Sequence, residues 1–311
     1  MNPGTAGDTL NGLPAFGSRP WVMGILNVTP DSFSDGGRWN STDTAVAHGR
    51  LLVAEGADLV DVGGESTRPG AHRVTVADEL ARVVPVITAL AAEGIRCSVD
   101  TTRAVVAEAA VRAGAVIIND VSGGLADPDM VTVAAETGVP WILMHWRGHS
   151  DRMQDLARYD DVTAEVTAEL LRQADRAVTA GVDPAAIVLD PGLGFAKNGD
   201  HNLQLLRDLP HLADLGFPLL VGASRKRFIG ELLADADGTP RPPAGREAAT
   251  AALSVLVAQR GAWGVRVHEP RPSRDAFAAW EAVRERPAPP DAFPSPLRPD
   301  PSRQHPTTGV R

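Results

Sequence analysis

A closed eight-stranded α/β barrel, the (β/α)8 or TIM-barrel architecture, is the fold the sequence predicts, and three observations predict it. Eight short apolar runs recur along the chain, each followed by a polar residue of a type used in sites. Helical stretches that stop at a glycine separate the earlier runs. The runs are continuously apolar rather than alternating, as in parallel strands covered on both faces. Only one face of a parallel barrel receives the carboxyl ends of all its strands, so the polar followers would meet at a single mouth. An open doubly wound sheet produces a similar pattern. Closure is favoured because the runs number eight and every one carries a polar follower, rather than a few at one switch point. No Gly-x-Gly-x-x-Gly opens a helix after the first run, so a dinucleotide fold has no support.

The elements follow in order. Residues 21–26 form the first strand and end on Asn27; the helix 42–55, with Asp43 near its cap, stops at Gly56. Strand 59–62 leads to Gly63, Gly64 and Glu65, and helix 76–93 stops at Gly94. Strand 96–99 leads to Asp100 and helix 104–113 stops at Gly114; strand 116–118 leads to Asn119 and helix 129–137 stops at Gly138. Strand 141–144 leads to His145, and the long helix 161–180 stops at Gly181. Strand 187–189 leads to Asp190, strand 219–221 to Ser224 and Lys226, and strand 264–267, which holds Arg266, to His268. Glycine just past a helix end supplies the left-handed conformation that closes it. The expected organisation is a flexible leader over residues 1–19, one barrel domain over 20–284, and a Pro-rich tail over 285–311. That tail has no apolar period and is expected to stay disordered.

Composition narrows the function classes. The formal net charge of −9 and the lack of any basic run argue against a nucleic-acid partner, while leaving room for a local cationic cluster around a small anion. Cys97 is the single cysteine, so no intrachain disulfide can form; inside a predicted strand it reads as a small buried hydrophobe. No stretch approaches the ~18 apolar residues of a spanning helix. The amino terminus lacks the basic-then-apolar pattern of a signal peptide, so a cytoplasmic protein without membrane contact is expected.

Ordered motifs occupy the strand ends. The first is Gly24-Ile25-Leu26-Asn27-Val28-Thr29-Pro30-Asp31-Ser32-Phe33-Ser34-Asp35-Gly36-Gly37. Then come Gly63-Gly64-Glu65-Ser66-Thr67-Arg68-Pro69-Gly70, Ser98-Val99-Asp100-Thr101, Asn119-Asp120-Val121-Ser122-Gly123 and Leu143-Met144-His145-Trp146-Arg147-Gly148. The last are Asp190-Pro191-Gly192-Leu193-Gly194-Phe195-Ala196-Lys197, Ser224-Arg225-Lys226 and Arg266-Val267-His268. Taken together they resemble the signatures of dihydropteroate synthase, in the style of the actinobacterial single-function form, over nearly the whole predicted barrel.

The resemblance implies a transferase of folate synthesis. It joins 6-hydroxymethyl-7,8-dihydropterin pyrophosphate to p-aminobenzoate and releases pyrophosphate, on a (β/α)8 barrel that is usually a homodimer and a target of sulfonamides. It implies that Asp100, Asn119, Met144, Asp190 and Lys226 hold the pterin. Carboxylates and an amide suit its N–H donors, which would be expensive to bury unpaired. Asn27, Arg68, Arg266 and His268 would hold the pyrophosphate, with Asn27 as the one protein ligand of Mg2+, an ion that commonly relies on substrate phosphates. In a barrel the first and eighth strands are neighbours, so these distant residues can meet. Phe33, Thr67, Pro69, Phe195, Ser224 and Arg227 would build the p-aminobenzoate slot. The catalytic set would be Asn27, Asp35, Lys226, Arg266 and His268, with Asp35 steadying or accepting from the arylamine.

Two positions depart from the common pattern. Arg227 stands where many members carry Ser, so either backbone N–H groups or the guanidinium meets the p-aminobenzoate carboxylate. Asn198 stands where many carry Thr, with little effect expected. Taken singly, a strand-end Asp or Asn is often a turn or cap residue, and a lone Arg or His is more often a surface ion pair or a satisfied strand-end side chain. Two other readings share the fold: a pterin-binding paralogue without turnover, and a corrinoid-dependent pterin-binding methyltransferase. The latter lacks the Ser-Arg-Lys and Arg-Val-His elements in this form.

Overall fold

The computed structural model describes residues 19–29, 41–66, 73–148 and 153–283. Strands and helices alternate: β1 (Trp21–Asn27), α1 (Ser41–Ala54), β2 (Leu59–Gly63), α2 (Val76–Ala92), β3 (Cys97–Asp100), α3 (Ala104–Arg112), β4 (Ile117–Asp120) and α4 (Met130–Thr137). The chain continues with β5 (Trp141–Met144), α5 (Val162–Thr179), β6 (Ile187–Asp190), α6 (Gly199–Arg207), α7 (Leu209–Ala213) and β7 (Leu220–Val221). It ends with α8 (Arg227–Leu232), α9 (Glu247–Gln259), β8 (Gly264–Val267) and α10 (Pro270–Val283). All strand pairs are parallel, in the order β6-β5-β4-β3-β2-β1-β8-β7. A parallel bridge between Leu189 and Leu219 joins the two ends, so the sheet closes into the expected barrel.

Local chemistry sets the helix ends. Thr75 caps α2 by accepting from the Asp78 N–H, Asp161 caps α5 through Ala164, and Asn198 with His201 forms a capping box on α6. Gly138 takes the left-handed conformation past α4. The strand ends differ from expectation in one respect. Asn27, Asp100 and Asp190 are the closing residues of their strands and Asn119 the last but one of β4, rather than the first residues beyond them, because their backbones still pair with the neighbouring strand. Helix α9 carries no clear apolar stripe in the sequence. In α9 the buried face includes Thr250 and Ser254, whose hydroxyls bond the carbonyls one turn back and Ser273 on α10.

Two cores hold the barrel. The larger lies between the strands and the helical ring, and it includes Cys97, fully buried as expected, its thiol pushed up to about 12 by burial. The smaller plugs the amino-terminal half of the barrel interior with Trp21, Met23, Leu59, Ile117, Ile142, Val188, Leu220 and Trp263. Trp21 and Trp263 stack there at 5.7 Å. Burying each of these side chains contributes about 1.5–3 kcal/mol. Arg19, assigned from the sequence to the leader, is tied to Asp58 at 2.6 Å. The rest of the leader and the 285–311 tail lie outside the described residues.

Candidate active site

Side chains two apart on a strand share a face. The apolar plug therefore dictates what sits above it: Leu59 is followed inward by Asp61, Ile117 by Asn119, Ile142 by Met144 and Val188 by Asp190. Gly63 separates Asn27 from Asp100 in the strand register and contributes no side chain between them. The carboxyl-terminal half of the interior is accordingly polar, and Asp61 is its hub. Asp61 is fully buried; it accepts from Ser98 Oγ at 2.6 Å, from Asn119 Nδ2 at 2.9 Å and from Arg266 Nε at 2.6 Å. The same guanidinium donates to Asp100 at 2.7 Å. Asp61 was not among the expected site residues. Its signal was present in the strand itself, a carboxylate at an inward position between apolar neighbours.

Electrostatics at this layer are strongly perturbed. Burial pushes the Asp100 carboxyl up to about 7, against the pull of Arg266 and with help from Asp61, Glu79 and Asp120. Burial also raises Asp190, opposed by the Gly192 N–H at 2.7 Å and by the charges of Lys226, Arg266 and Lys197. Lys226 is drawn down to about 8 by burial, with Asp190 resisting; its ammonium stands 4.2 Å over the Phe195 ring. Burial disfavours the Arg266 cation, and the surrounding carboxylates more than offset that, so it stays charged. Asp100, Asn119, Met144, Asp190, Lys226, Phe195 and Arg266 thus converge on one end of the barrel, as expected.

The remaining expectations divide. Ser224 and His268 pair with each other: the His268 N–H donates to Ser224 Oγ at 3.1 Å, and that hydroxyl lies 3.0 Å from Nδ1. Between Ser224 and Lys226, Arg225 is left-handed (φ 57°) and braced by Glu247 and Glu269. Arg246 donates to the carbonyl of Arg225 at 2.7 Å, holding the turn that aims Lys226. Arg227 is exposed to solvent and pairs with Glu231 at 2.8 Å. His145, expected at the mouth, faces outward instead: Met144 takes the inward position, so His145 is buried against α5. Phe33, Asp35, Thr67, Arg68 and Pro69 lie outside the described residues.

A parallel barrel with compensated charges gathered at its carboxyl-terminal end defines an enzyme of the TIM-barrel class, built for a polar ligand with both donors and negative charge. The family model described as pterin binding enzyme matches residues 23–268. A dihydropteroate synthase of Mycobacterium leprae is 60% identical over 263 residues, covering 83% of this chain and 93% of that protein. Among solved structures, Xanthomonas albilineans dihydropteroate synthase with 4-aminobenzoic acid matches with a TM-score of 0.79 and 49% identity, over 85% of this chain and 93% of that one. A structure of that enzyme in complex with 7,8-dihydropteroate matches with a TM-score of 0.76 and 46% identity, over 85% and 94%. This chain belongs to the dihydropteroate synthase family of pterin-binding enzymes, transferases of folate synthesis.

Proposed function

We propose that the chain condenses 6-hydroxymethyl-7,8-dihydropterin pyrophosphate with p-aminobenzoate, using the residues gathered above Asp61. The carrying observation is the Asp61–Arg266–Asp100 ion-pair chain beside Asp190 and Lys226. It sets acceptors for ring N–H groups next to cations for an anionic leaving group. Asp190 accepts from the pterin 2-amino and ring N–H groups. Asn119, whose amide nitrogen is held by Asp61, is left with its oxygen to accept. Asp100 takes a further N–H, Lys226 donates to the pterin carbonyl, and Met144 floors the ring.

Arg266 and His268, with Arg68, neutralise charge as the carbon–oxygen bond to pyrophosphate breaks. The dihydropterin stabilises the methylene cation, the neutral arylamine attacks, and its nitrogen then loses a proton. Positioning and charge neutralisation supply most of what such a dissociative substitution needs. Asn27 offers a neutral side-chain oxygen on a half-buried residue at the end of β1, and Gly63 puts no side chain between it and Asp100, which fits a Mg2+ ligand. Mg2+ bound there supplies further neutralisation of the leaving group. Phe195 walls the p-aminobenzoate slot with Phe33, Thr67 and Pro69, and Asp35 steadies the amine. With the Arg227 side chain turned to solvent, backbone N–H groups of the Ser224–Arg227 turn other than that of Lys226, which donates to the Ala223 carbonyl, receive the carboxylate, and Ser224 acts through His268. The protein works as a homodimer in this reading, which sedimentation at twice the chain mass checks.

The deciding experiment is pyrophosphate release measured with each substrate alone and with both. Release that needs both supports the reading. Pterin binding without release selects the paralogue, and methyl transfer selects the methyltransferase. Asp190→Ala should weaken pterin binding at least ~100-fold, since it strands the ring donors in a buried site; an unchanged dissociation constant by calorimetry refutes its role.

A further inference from the structure

Behind the mouth lies a second polar cluster that the chemistry above does not use. Lys197 is buried, 3% exposed, just past the loop that follows β6. Its Nζ donates to the carbonyls of Gly192 at 3.1 Å and Phe195 at 3.0 Å and lies 2.8 Å from His145 Nδ1. His145 Nε2 is 2.8 Å from Glu169 on α5. Arg147 bonds Glu169 and Glu165 at 2.7 Å each, with its guanidinium 3.9 Å over the Tyr159 ring. Lys197 therefore meets its counter-charge through an imidazole rather than directly.

The segment it grips is unusual. Gly192, Gly194 and Ala196 are all left-handed, with φ of 65°, 79° and 48°. That conformation costs Ala roughly 1–2 kcal/mol. At Gly192 a Cβ would collide with the His145 carbonyl oxygen. A path of this kind is held from outside: two of its carbonyls turn onto one ammonium, and the Gly194 N–H donates to Asn202 Oδ1 at 2.7 Å, while the Phe195 N–H closes the turn on the Gly192 carbonyl at 3.1 Å. The opposite side of the same segment carries the Gly192 N–H on Asp190 and the Phe195 ring under Lys226.

We propose that Lys197 is a positioning residue: backed by His145 and Glu169, it staples residues 191–196 so that Phe195 stands in place for p-aminobenzoate. This rests on the dihydropteroate synthase reading of the mouth. One excess proton shared by Lys197 and His145 completes the staple. As an ammonium, Lys197 donates to both carbonyls and to Nδ1, and the neutral ring donates Nε2–H to Glu169. With the proton on the ring, the neutral amine still donates to both carbonyls and accepts from Nδ1–H, and Nε2–H again meets Glu169. Either arrangement makes the same four hydrogen bonds, and loss of the proton breaks one of them.

The charged and titratable groups facing this pair are Asp190 and Lys226 from the mouth, Arg147, Tyr159 and His201 beside it, and Glu165 and Glu169 from α5. Burial draws Lys197 down to about 7 and His145 to about 4, so the pair's proton is lost within a measurable pH range.

The test is steady-state kinetics across pH on the wild-type chain, Lys197→Met and Glu169→Gln, with pterin binding by calorimetry. Lys197→Met should raise KM for p-aminobenzoate about tenfold, with kcat and pterin affinity within about threefold, because Asp190 keeps its strand while Phe195 loses its anchor. Glu169→Gln keeps an acceptor for His145 but removes the charge. The alkaline rise of that KM should then begin about one pH unit lower than in the wild type. Wild-type KM values in both variants overturn the proposal, as does an equal loss on both substrates that only tracks a fall in Tm. If Lys197→Met does not fold, the Glu169→Gln limb decides, and an unshifted limb overturns it. A wild-type chain that turns over normally beside unaffected variants sinks the staple alone; a wild-type chain releasing no pyrophosphate sinks the parent reading and the staple with it.

Discussion

In the amino-terminal half of the barrel interior, Met23, Leu59, Ile117, Ile142, Val188 and Leu220 fill the space. One inward step further along the same strands, the space belongs to Asp61, Asn119, Met144 and Asp190, with Asp100 and Arg266 beside them. Two residues of extended chain, roughly 6.6 Å, separate the two regimes. Below, every side chain adds stability by leaving water. Above, buried charges cost several kcal/mol each, recovered only through close pairing. Asp100 and Asp190 are both raised by burial even with cations nearby, so the upper layer is not arranged to maximise stability. The same barrel therefore carries a fold-forming end and an end whose electrostatic strain makes sense only as a site.

The sharpest way to break this comparison is Arg266→Ala. It should lower kcat/KM about 10³-fold through lost stabilisation of the leaving group. It should also destabilise by about 3–5 kcal/mol, because Asp61 and Asp100 are left buried without their cation. Pairing Arg266→Met with Asp61→Asn should recover most of the stability and none of the activity; recovery of both would mean that the upper layer is structural. The lower half should behave the opposite way. Ile142→Ala is expected to cost about 2–5 kcal/mol in denaturant unfolding while kcat/KM well below Tm stays within about twofold. A tenfold loss of activity in that variant would erase the boundary between the layers.

The boundary was partly legible in the sequence. Asn27, Asp100, Asn119 and Asp190 stood out because an apolar run stops on each. Asp61 was hidden because residues 59–62 read as one apolar run, and only the two-residue period of the strand shows that it points inward with Leu59. The same parity corrects His145: it follows its run like the others, but Met144 occupies the inward place. Helix α9 was hard to read because Thr250 and Ser254 lie on its buried face, where a periodicity rule expects apolar residues. The Lys197 cluster carried no local pattern, since its partners come from three separate segments.

A smaller effect tests the electrostatics of the upper layer directly. The Asp100 pKa is raised in the fold to about 7 from an ordinary value near 3.8. Its contribution to stability is therefore fully present below the unfolded value and is lost as pH rises through about 7. Between those limits Asp100→Asn should fall in Tm less steeply with pH than the wild type does. Identical slopes would show that Arg266 already holds Asp100 ionised across that range.

The smallest expected effect concerns the outer edge of the mouth. Arg227 is paired with Glu231 one turn along α8, and its side chain is 88% exposed. If backbone N–H groups receive the p-aminobenzoate carboxylate, Arg227→Ala should leave that KM within about twofold and stability within about 0.5 kcal/mol, as for most surface substitutions. A tenfold rise in KM with unchanged pterin affinity would mean that the guanidinium leaves Glu231 when substrate arrives. The polar layer would then extend beyond the barrel interior onto the first turn of α8, and its limit would be set by a side chain that moves rather than by strand parity.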